Sequence, residues 1–338
     1  MKKPFIHLFC LSVFFLFYSC DNIIEENTPA NVFEVFWRIM DENYPFFEEK
    51  GVDWDSIYDI YAPKARTARN DEELFDIFHS ILPLFQDGHL RISCVATFTS
   101  AISLSIPLSI NNDVEKLIDA GFEVIHSERM FLVLENRKNR MAYLKLNSFN
   151  HQDTNISIHQ PERLLKNLDF TNGLIIDLSN NIGGSLPYCL NFVSVFFTGR
   201  KITLYQQRKT GKGRSDFGDK IPISIQGKGY VPDEIPIVIL TSRGTYSSGN
   251  FAVYILTDLR NSTVIGTPTS GGGGGRVTVF LPNGWKLMYP VYRGFSPSGR
   301  NMEFGFEPDI CVEVEFPWEF RDAMLAVALE YLENLQRK

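Results

Sequence analysis

Two neighbouring serines stand between an apolar run and a helical pattern in 239-ILTSRGTYSSGNFAVYIL-256. A serine at such a strand-to-helix turn is exposed, and the positive end of the helix favours the alkoxide-like form that a nucleophile needs. Ser247 and Ser248 are therefore candidates for nucleophilic chemistry. Serines also cap helices, so this stretch by itself leaves both interpretations open.

Of the histidines, His89 in 86-QDGHLRIS-93 has the position most useful for a general base. It follows a glycine and stands between a helical pattern and a β-type run, at the kind of element boundary where functional side chains concentrate. The remaining histidines lie in the apolar N-terminal segment, in a predicted helix or in less patterned segments. A lone histidine is more often structural than catalytic, so His89 needs support from other motifs.

Glycines follow apolar strands at two places. In 177-DLSNNIGGSL-186, the backbone N–H groups of Gly183 and Gly184 face outward at a helix start, where they suit a phosphate or the oxyanion of acyl transfer, although glycine pairs are also common packing devices. The second place is the run 271–275 in 264-VIGTPTSGGGGGRV-277. No lysine follows it and no nucleotide-binding G-x-x-x-x-G-K-[ST] exists, so we interpret it as a flexible active-site loop.

The elements that must position these residues have the order of an α/β domain. Helical spacing and capping residues predict a small helical subdomain over residues 31–88. From residue 89 to 338, short β-type runs alternate with helical patterns, and two runs lead through a glycine or serine turn directly into a helix. This order predicts an α/β (α+β) fold with ligands at the strand ends.

Composition narrows the classes of partner. The formal net charge of −7 argues against nucleic-acid binding, and we interpret the basic cluster 208-RKTGKGR-214 as a solvated loop. No C-x-x-C pair exists, so neither a zinc site nor a disulfide framework is indicated, and we expect no metal and no other cofactor.

The first twenty residues, MKKPFIHLFCLSVFFLFYSC, are distinct from the rest. Two lysines precede an apolar run that is short for a spanning helix, and the run ends at a cysteine. The segment resembles a bacterial lipoprotein signal peptide (residues 1–20) followed by a linker (residues 21–30), in which Cys20 would be lipidated. An uncleaved anchor or a plain secretory signal are the alternatives. The expected location is the bacterial cell envelope, with membrane attachment through the lipid.

Four stretches in this order resemble the C-terminal processing (tail-specific) serine peptidase family. Its motif D-x-R-x-N-x-G-G, its nucleophile motif T-x-S-[AS]-[GS]-E, and its downstream G-x-P-T-x-G and G-x-x-P-D-I are matched across most of residues 31–315. The matching residues are Asp177, Asn181, Gly183, Gly184, Thr245, Ser247, Ser248, Gly249, Gly266, Pro268, Thr269, Gly271, Gly305, Pro308, Asp309 and Ile310. Ser179 and Asn250 stand where the motifs have arginine and glutamate.

The resemblance implies a ClpP/crotonase-like catalytic domain and roles for individual residues. Ser247 would be the nucleophile, and the amide of Ser248 with that of Gly183 or Gly184 would form the oxyanion hole. Many members activate the serine with a lysine twenty-five residues beyond it, and that position is Gly272 here. The nearest basic residue is Arg276, whose guanidinium stays protonated and cannot serve as a base.

The branch of the family that resembles the tricorn core protease uses a histidine and a glutamate instead. Those roles fall on His89 and Glu303, although Gly88 stands where that branch can have a serine and Glu303 lies one residue closer to Gly305 than expected. About fifty residues separate the helical subdomain from 141-MAYLKL-146, too few for the PDZ domain of many relatives, so recognition of substrate C-termini is not assumed.

These observations predict a serine peptidase of the cell envelope that acts on a peptide or protein substrate. An inactive relative that binds a peptide or protein is the alternative favoured by the departures at Ser179, Asn250 and Gly272. A crotonase-type acyl-CoA enzyme would share the fold, but the matching motifs are those of peptidases. The distance between His89 and Ser247 separates an enzyme from a binder.

Overall fold

The computed structural model describes residues 27–94, 98–100, 111–128, 131–150, 165–258, 262–313 and 320–337. The predicted signal peptide with Cys20, and most of the linker after it, lie outside the described residues. Within the described ranges, no helix combines the length and apolar character needed to cross a membrane.

The helices are capped as their sequences indicate. Side chains of Thr28, Asp53 and Asn70 each accept a backbone N–H from the first turn of the helix that follows. The helices are α1 (Pro29–Asn43), α2 (Trp54–Thr67), α3 (Asp71–Ile81) with a 3-10 turn at Leu82–Phe85, α4 (Asn111–Asp119), α5 (Leu186–Ser194), α6 (Ser248–Leu256) and α7 (Phe320–Gln336).

The strands form three sheets. They are β1 (Arg91–Ser93), β2 (Phe98–Ser100), β3 (Glu123–Glu128), β4 (Phe131–Asn136), β5 (Met141–Leu146), β6 (Gly173–Asp177), β7 (Lys201–Arg208), β8 (Ile221–Gln226), β9 (Ile237–Thr241), β10 (Ser262–Gly266), β11 (Arg276–Phe280), β12 (Lys286–Pro290), β13 (Tyr292–Phe295) and β14 (Ile310–Cys311). The sheet orders are β14-β10-β9-β6-β5-β4-β3, β11-β12-β1-β2 and β13-β7-β8.

The seven-stranded sheet places the two candidate turns side by side. Its strands β14, β10, β9, β6 and β5 are parallel, and β4 and β3 continue it in antiparallel fashion. Asp177 at the end of β6 lies opposite Leu240 near the end of β9. Because carboxyl ends of parallel strands meet at one edge, the glycine pair after β6 and the serines after β9 leave the sheet together.

Two hydrophobic cores cover the faces of this sheet. One lies under α5 and α6, and the other packs α4 and α7 against the opposite face. The strands buried on both faces, such as β6 and β9, are continuous apolar runs, as expected for parallel strands. The result is a three-layer α/β arrangement.

A third core joins the N-terminal helices to part of the later chain. Its aromatic centre includes Phe36, Trp54 and Phe78, and it extends to Leu90 and Ile92 around β1 and to Leu287 of β12. The helices therefore share their core with the four-stranded sheet and do not pack as an isolated bundle that ends at residue 88. His89 lies between this core and the central sheet.

The basic cluster 208–214 is largely exposed, as the sequence indicated, but Lys209 and Arg214 also contact the N-terminal helices. The Arg214 guanidinium pairs with Asp41 of α1 at 2.7 Å and with Asp55 of α2 at 2.6 Å, and Lys209 Nζ donates to the Asp41 carbonyl at 2.7 Å. Opposite charges on the first two helices draw this β7–β8 connection onto them. The connection therefore bridges the helices and the rest of the chain.

Candidate active site

Ser247 lies in the sharp turn between β9 and α6, with φ 55° and ψ −124°. A positive φ is uncommon for a residue other than glycine, and a strained serine at a strand-to-helix turn is the geometry of a nucleophile elbow. The backbone holds the turn: Ser247 N–H donates to Gly271 O at 2.8 Å, and Tyr246 N–H donates to Asn181 O at 2.9 Å. Ser247 therefore presents its hydroxyl from a backbone fixed on two sides.

His89 meets that hydroxyl directly. Its Nε2 lies 2.9 Å from Ser247 Oγ, across 158 residues of sequence. The imidazole is brought there by a turn in which Gln86 has a left-handed backbone (φ 47°) and the Asp87 carboxylate accepts the His89 backbone N–H at 2.8 Å. The structure thus brings together the two residues that the sequence singled out, at a distance suited to proton transfer.

The environment keeps His89 neutral. Burial lowers the pKa of His89 from 6.5 to about 4; the negative charge of Asp87 opposes this shift, and the positive charges of Arg276 and Arg91 add to it. Its Nδ1 is buried and has no hydrogen-bond partner among the residues that the structure describes. A neutral imidazole can accept the serine proton through Nε2, with the other proton on Nδ1.

Glu303 does not orient His89, contrary to the expectation from the family resemblance. Its Oε1 pairs with Lys50 Nζ at 2.7 Å, and its Oε2 accepts the Gly273 N–H at 2.8 Å. Both oxygens are thus engaged elsewhere. Burial and the nearby Asp87 carboxylate raise the pKa of Glu303 to about 8, while Lys50 and the Gly273 amide oppose that rise.

Asp87 is the acidic residue that is hydrogen-bonded to His89, and the bond is to the His89 backbone N–H. One of its oxygens accepts the His89 N–H, and the other accepts the Tyr44 hydroxyl at 2.9 Å. Asp87 is almost fully buried, so its charge acts on His89 with little screening. Asp87 and Lys50 are not among the residues that the sequence singled out. The D-G-H spacing was a signal for Asp87, whereas nothing local indicated Lys50.

Tyr246 accounts for both unusual glycines near the site. A Cβ added at Gly272 would lie 2.5 Å from the ring of Tyr246, and one added at Gly88 would lie 2.9 Å from its hydroxyl oxygen. Gly272 also has φ +81°, a conformation that side chains rarely adopt. The buried Tyr246 ring, 4.9 Å from the His89 ring centroid, thus occupies the space that a lysine at position 272 would need.

The glycine run 271–275 is a packed segment rather than the flexible loop that the sequence indicated. Residues 271–274 are buried. A Cβ added at Gly273 would lie 2.4 Å from the Glu303 backbone nitrogen, and one added at Gly275 would lie 2.2 Å from the Tyr292 ring. Close approach of backbone to backbone and to rings explains the glycines, without any phosphate.

The backbone amides near Ser247 differ in their partners. Gly183 N–H donates to Asn181 Oδ1 at 2.9 Å, so this predicted oxyanion donor is already engaged. Ser248 opens α6, where its N–H has no partner within the helix, and its hydroxyl donates to Gly184 O at 2.9 Å. Gly184 and Ser248 line a cavity of about 230 Å³ together with Ser247 and His89.

The two residues that depart from the family motifs have structural partners here. Ser179 Oγ donates to Asp177 Oδ1 at 2.6 Å. The Asn250 amide donates to Met302 O at 2.7 Å and accepts the Thr269 hydroxyl at 2.6 Å. Asn250 thereby fastens α6 to the 3-10 turn Met302–Phe304 that carries Glu303. No cluster of three metal-ligating side chains occurs in the described part of the chain.

Comparison with known proteins bears on this arrangement. Residues 140–312 match the model of Peptidase family S41, and residues 25–82 match the Tricorn protease C1 domain.

The Carboxy-terminal-processing protease of Bartonella bacilliformis is 28% identical over 154 residues, 45% of this chain and 34% of the relative. The chloroplastic Carboxyl-terminal-processing peptidase 2 of Arabidopsis thaliana is 25% identical over 179 residues, 53% of this chain and 33% of the relative. The match spans about a third of the length of these curated relatives.

Solved structures resemble the whole described chain. The structure of a protein from Parabacteroides merdae, assigned as a peptidase, is 28% identical with a TM-score of 0.79, over 91% of this chain and 97% of that one. The tricorn protease is 15% identical with a TM-score of 0.55, over 92% of this chain and 37% of that one, which is a likeness of fold alone. The predicted α/β fold of the tail-specific family, with helices at the N-terminus, is confirmed.

The contact between Gly183 and Ser247 can be tested by adding one methyl group. In Gly183→Ala the new Cβ would lie 2.7 Å from Ser247 Cβ at φ +92°, so Ser247 must shift. We expect the rate of Ser247 labelling by a fluorophosphonate to fall at least tenfold. Gly299→Ala is the matched control, because Gly299 has φ +84° with nothing within 4 Å. Equal rates in the two variants would contradict this account of the elbow.

The depressed pKa of His89 predicts an unusual pH profile. The base works only when neutral, so the labelling rate should stay level from neutral pH down to about pH 5 and fall by half near the pKa of about 4. Circular dichroism at each pH controls for unfolding. A midpoint near 6.5, the ordinary histidine value, would show that burial does not lower the pKa of His89.

Proposed function

Because the chain belongs to peptidase family S41, we propose that it is a serine peptidase that hydrolyses peptide bonds through an acyl-enzyme on Ser247, with His89 as general base. The observation that carries the proposal is the 2.9 Å contact between His89 Nε2 and Ser247 Oγ. A nucleophile and a base within hydrogen-bond reach are the minimum that acyl transfer requires.

The proposed reaction has two halves. Ser247 Oγ attacks the carbonyl carbon of the scissile bond while His89 Nε2 takes the hydroxyl proton. His89 then gives this proton to the leaving amine nitrogen, the C–N bond breaks, and the acyl group stays on Ser247. A water molecule attacks the ester, again losing a proton to His89, and the proton returns to Ser247 as the carboxylic acid product leaves.

We assign the oxyanion hole to the backbone N–H groups of Gly184 and Ser248. Both residues line the cavity beside Ser247, and the Ser248 N–H stands at the positive end of α6. Gly183 is a weaker candidate because its amide donates to Asn181. The role of Gly183 is then steric, since it lets the β6 turn approach the elbow closely.

We propose that His89 is positioned without a carboxylate on its Nδ1. The Asp87 carboxylate fixes the backbone of His89, and the ring of Tyr246 packs beside the imidazole. The negative charge of Asp87 favours the imidazolium that forms during the reaction. A lysine base at position 272 would have no room beside Tyr246.

The second candidate function is an inactive relative that binds a peptide or protein. It is favoured by His89 Nδ1, which has no hydrogen-bond partner in the described part of the chain, and by the engagement of Glu303 with Lys50. The short contact between His89 and Ser247 favours the enzyme, because a binding protein has no use for it. The curated relatives are named for the processing of carboxy termini. For this chain we propose only that it cleaves a peptide or protein substrate.

Labelling separates the two functions. The protein without residues 1–20 should form a covalent adduct with a fluorophosphonate, detected by intact mass, because only an activated serine attacks this reagent. Ser247→Ala should abolish the adduct, and His89→Gln should slow it by at least a hundredfold. Ser270→Ala is the control, since its hydroxyl donates to Arg243 O outside the site. No adduct in the wild type, or an adduct that survives Ser247→Ala, would refute the assignment.

We further propose that Cys20 is lipidated and anchors the protein in the bacterial cell envelope. The support is the sequence: two lysines, a short apolar run and a cysteine followed by a polar, acidic stretch. Cells that express the full chain should incorporate an alkyne-tagged palmitate into it, and Cys20→Ala should lose the label. Cys94→Ser, which keeps Cys20, should retain it. Label in Cys20→Ala would rule this anchor out.

A further inference from the structure

The cavity beside Ser247 is lined by a positively charged side chain. Its walls are glycine backbone together with Leu186, Phe251 and Tyr292, and among the described residues that line it only Arg276 carries a formal charge at neutral pH. Its volume of about 230 Å³ lies below the roughly 300–1,000 Å³ of most small-molecule pockets. A space of this size suits one side chain or a chain end rather than a cofactor.

Arg276 has no partner for its charge. It opens β11 directly after the glycine run and is exposed, and no ion pair or hydrogen bond joins its guanidinium to any residue within the described ranges. None of the described side chains that line the cavity is acidic. The guanidinium is thus available to a ligand at the mouth of the site.

A second arginine, Arg208, adds positive charge next to the cavity. Arg208, at the end of β7, lies with its guanidinium carbon 5.6 Å from the ring centroid of Tyr292, one of the lining residues. Arg208 is exposed and forms no ion pair with the residues described. The carboxylates of Asp87 and Glu303 are buried and engaged with Tyr44 and Lys50, and neither residue is among those that line the cavity.

We propose that Arg276 is a specificity-determining residue that binds a carboxylate of the peptide substrate next to the scissile bond. This inference rests on the proposed function of Ser247. A guanidinium binds a carboxylate through two parallel hydrogen bonds, which fixes orientation as well as charge. The carboxylate is either an acidic side chain or the C-terminal group of the substrate, and the same arginine would recognise both.

The chemistry of the cavity favours a carboxylate over a phosphate. A phosphate site normally offers several cations, whereas Arg276 is the single cationic side chain among the described residues that line this cavity. The apolar walls would pack against the stem of a glutamate or against the last residue of a peptide. The whole chain carries a net charge of −7, so Arg276 would act locally and not as part of a basic surface.

Competition against labelling tests the inference. Ser247 is labelled with an uncharged fluorophosphonate while short blocked peptides protect it. One pair of peptides is Ac-Ala-Glu-Ala-NH₂ and Ac-Ala-Gln-Ala-NH₂; the other is Ac-Ala-Ala-Ala-OH and Ac-Ala-Ala-Ala-NH₂. In the wild type we expect the carboxylate member of at least one pair to protect at a concentration at least tenfold lower. The pair that shows the difference identifies the source of the carboxylate.

Variants assign the effect to Arg276. Arg276→Gln should make the two members of the pair equal, and Arg276→Lys should keep part of the preference because it keeps the charge. Arg243→Gln is the matched control, since Arg243 is exposed and does not line the cavity. Labelling of each variant by the uncharged reagent alone shows that Ser247 and the fold around it are intact.

The outcomes separate this inference from the proposed function. If the wild type is labelled but acid and amide peptides protect equally, Arg276 does not select carboxylates and the peptidase assignment stands. A preference that persists in Arg276→Gln would equally overturn the role of Arg276. If the uncharged reagent does not label the wild type, the proposed function fails and this inference fails with it.

Discussion

The hydrogen bond between Ser247 and His89 joins two segments that flank different hydrophobic cores. Ser247 follows β9 of the central sheet, whereas His89 lies two residues before β1, which packs with the N-terminal helices. Its geometry therefore depends on how these two cores are held together. Three sets of ion pairs span the junction: Arg214 with Asp41 and Asp55, Arg293 with Glu49, and Lys50 with Glu303. These pairs range from buried to partly exposed, and such pairs are better at fixing relative position than at adding stability, so we regard their role here as holding the register of the two cores.

Two departures of this chain from the family pattern, Gly88 and Gly272, share one physical cause. Tyr246, next to the nucleophile, places a buried ring where side chains at positions 88 and 272 would otherwise project. Glycine at both positions follows from that ring, and a lysine base is excluded by the same volume. Glu303 is engaged nearby, where it contacts Lys50 and accepts the Gly273 N–H. The site thus retains a nucleophile and a base while the groups around them are rearranged.

Burial determines the electrostatics of this arrangement. An imidazole away from water resists protonation, and the cations Arg276 and Arg91 lower its pKa further. The carboxylate of Asp87 acts in the opposite sense and also accepts the backbone N–H of His89. Asp87 and Glu303 are buried, whereas Arg276 is exposed and lines the cavity. Arg276 would thus attract the carboxylate of a substrate, since no acidic side chain among the described residues pairs with it.

The sequence by itself determined what local rules control. Apolar runs specified the strands, capping residues such as Asp53 specified where helices begin, and the turns after β6 and β9 identified Gly184, Ser247 and Ser248 from the order of elements. Motif order also led to His89 and to the absent lysine. Only the tertiary structure decided which side chain each carboxylate contacts. Glu303 and Lys50 lie 253 positions apart, and their pairing depends on how two hydrophobic cores pack together. For the same reason, no local pattern could show that Tyr246 fills the space beside Gly272 or that Arg276 faces the cavity unpaired.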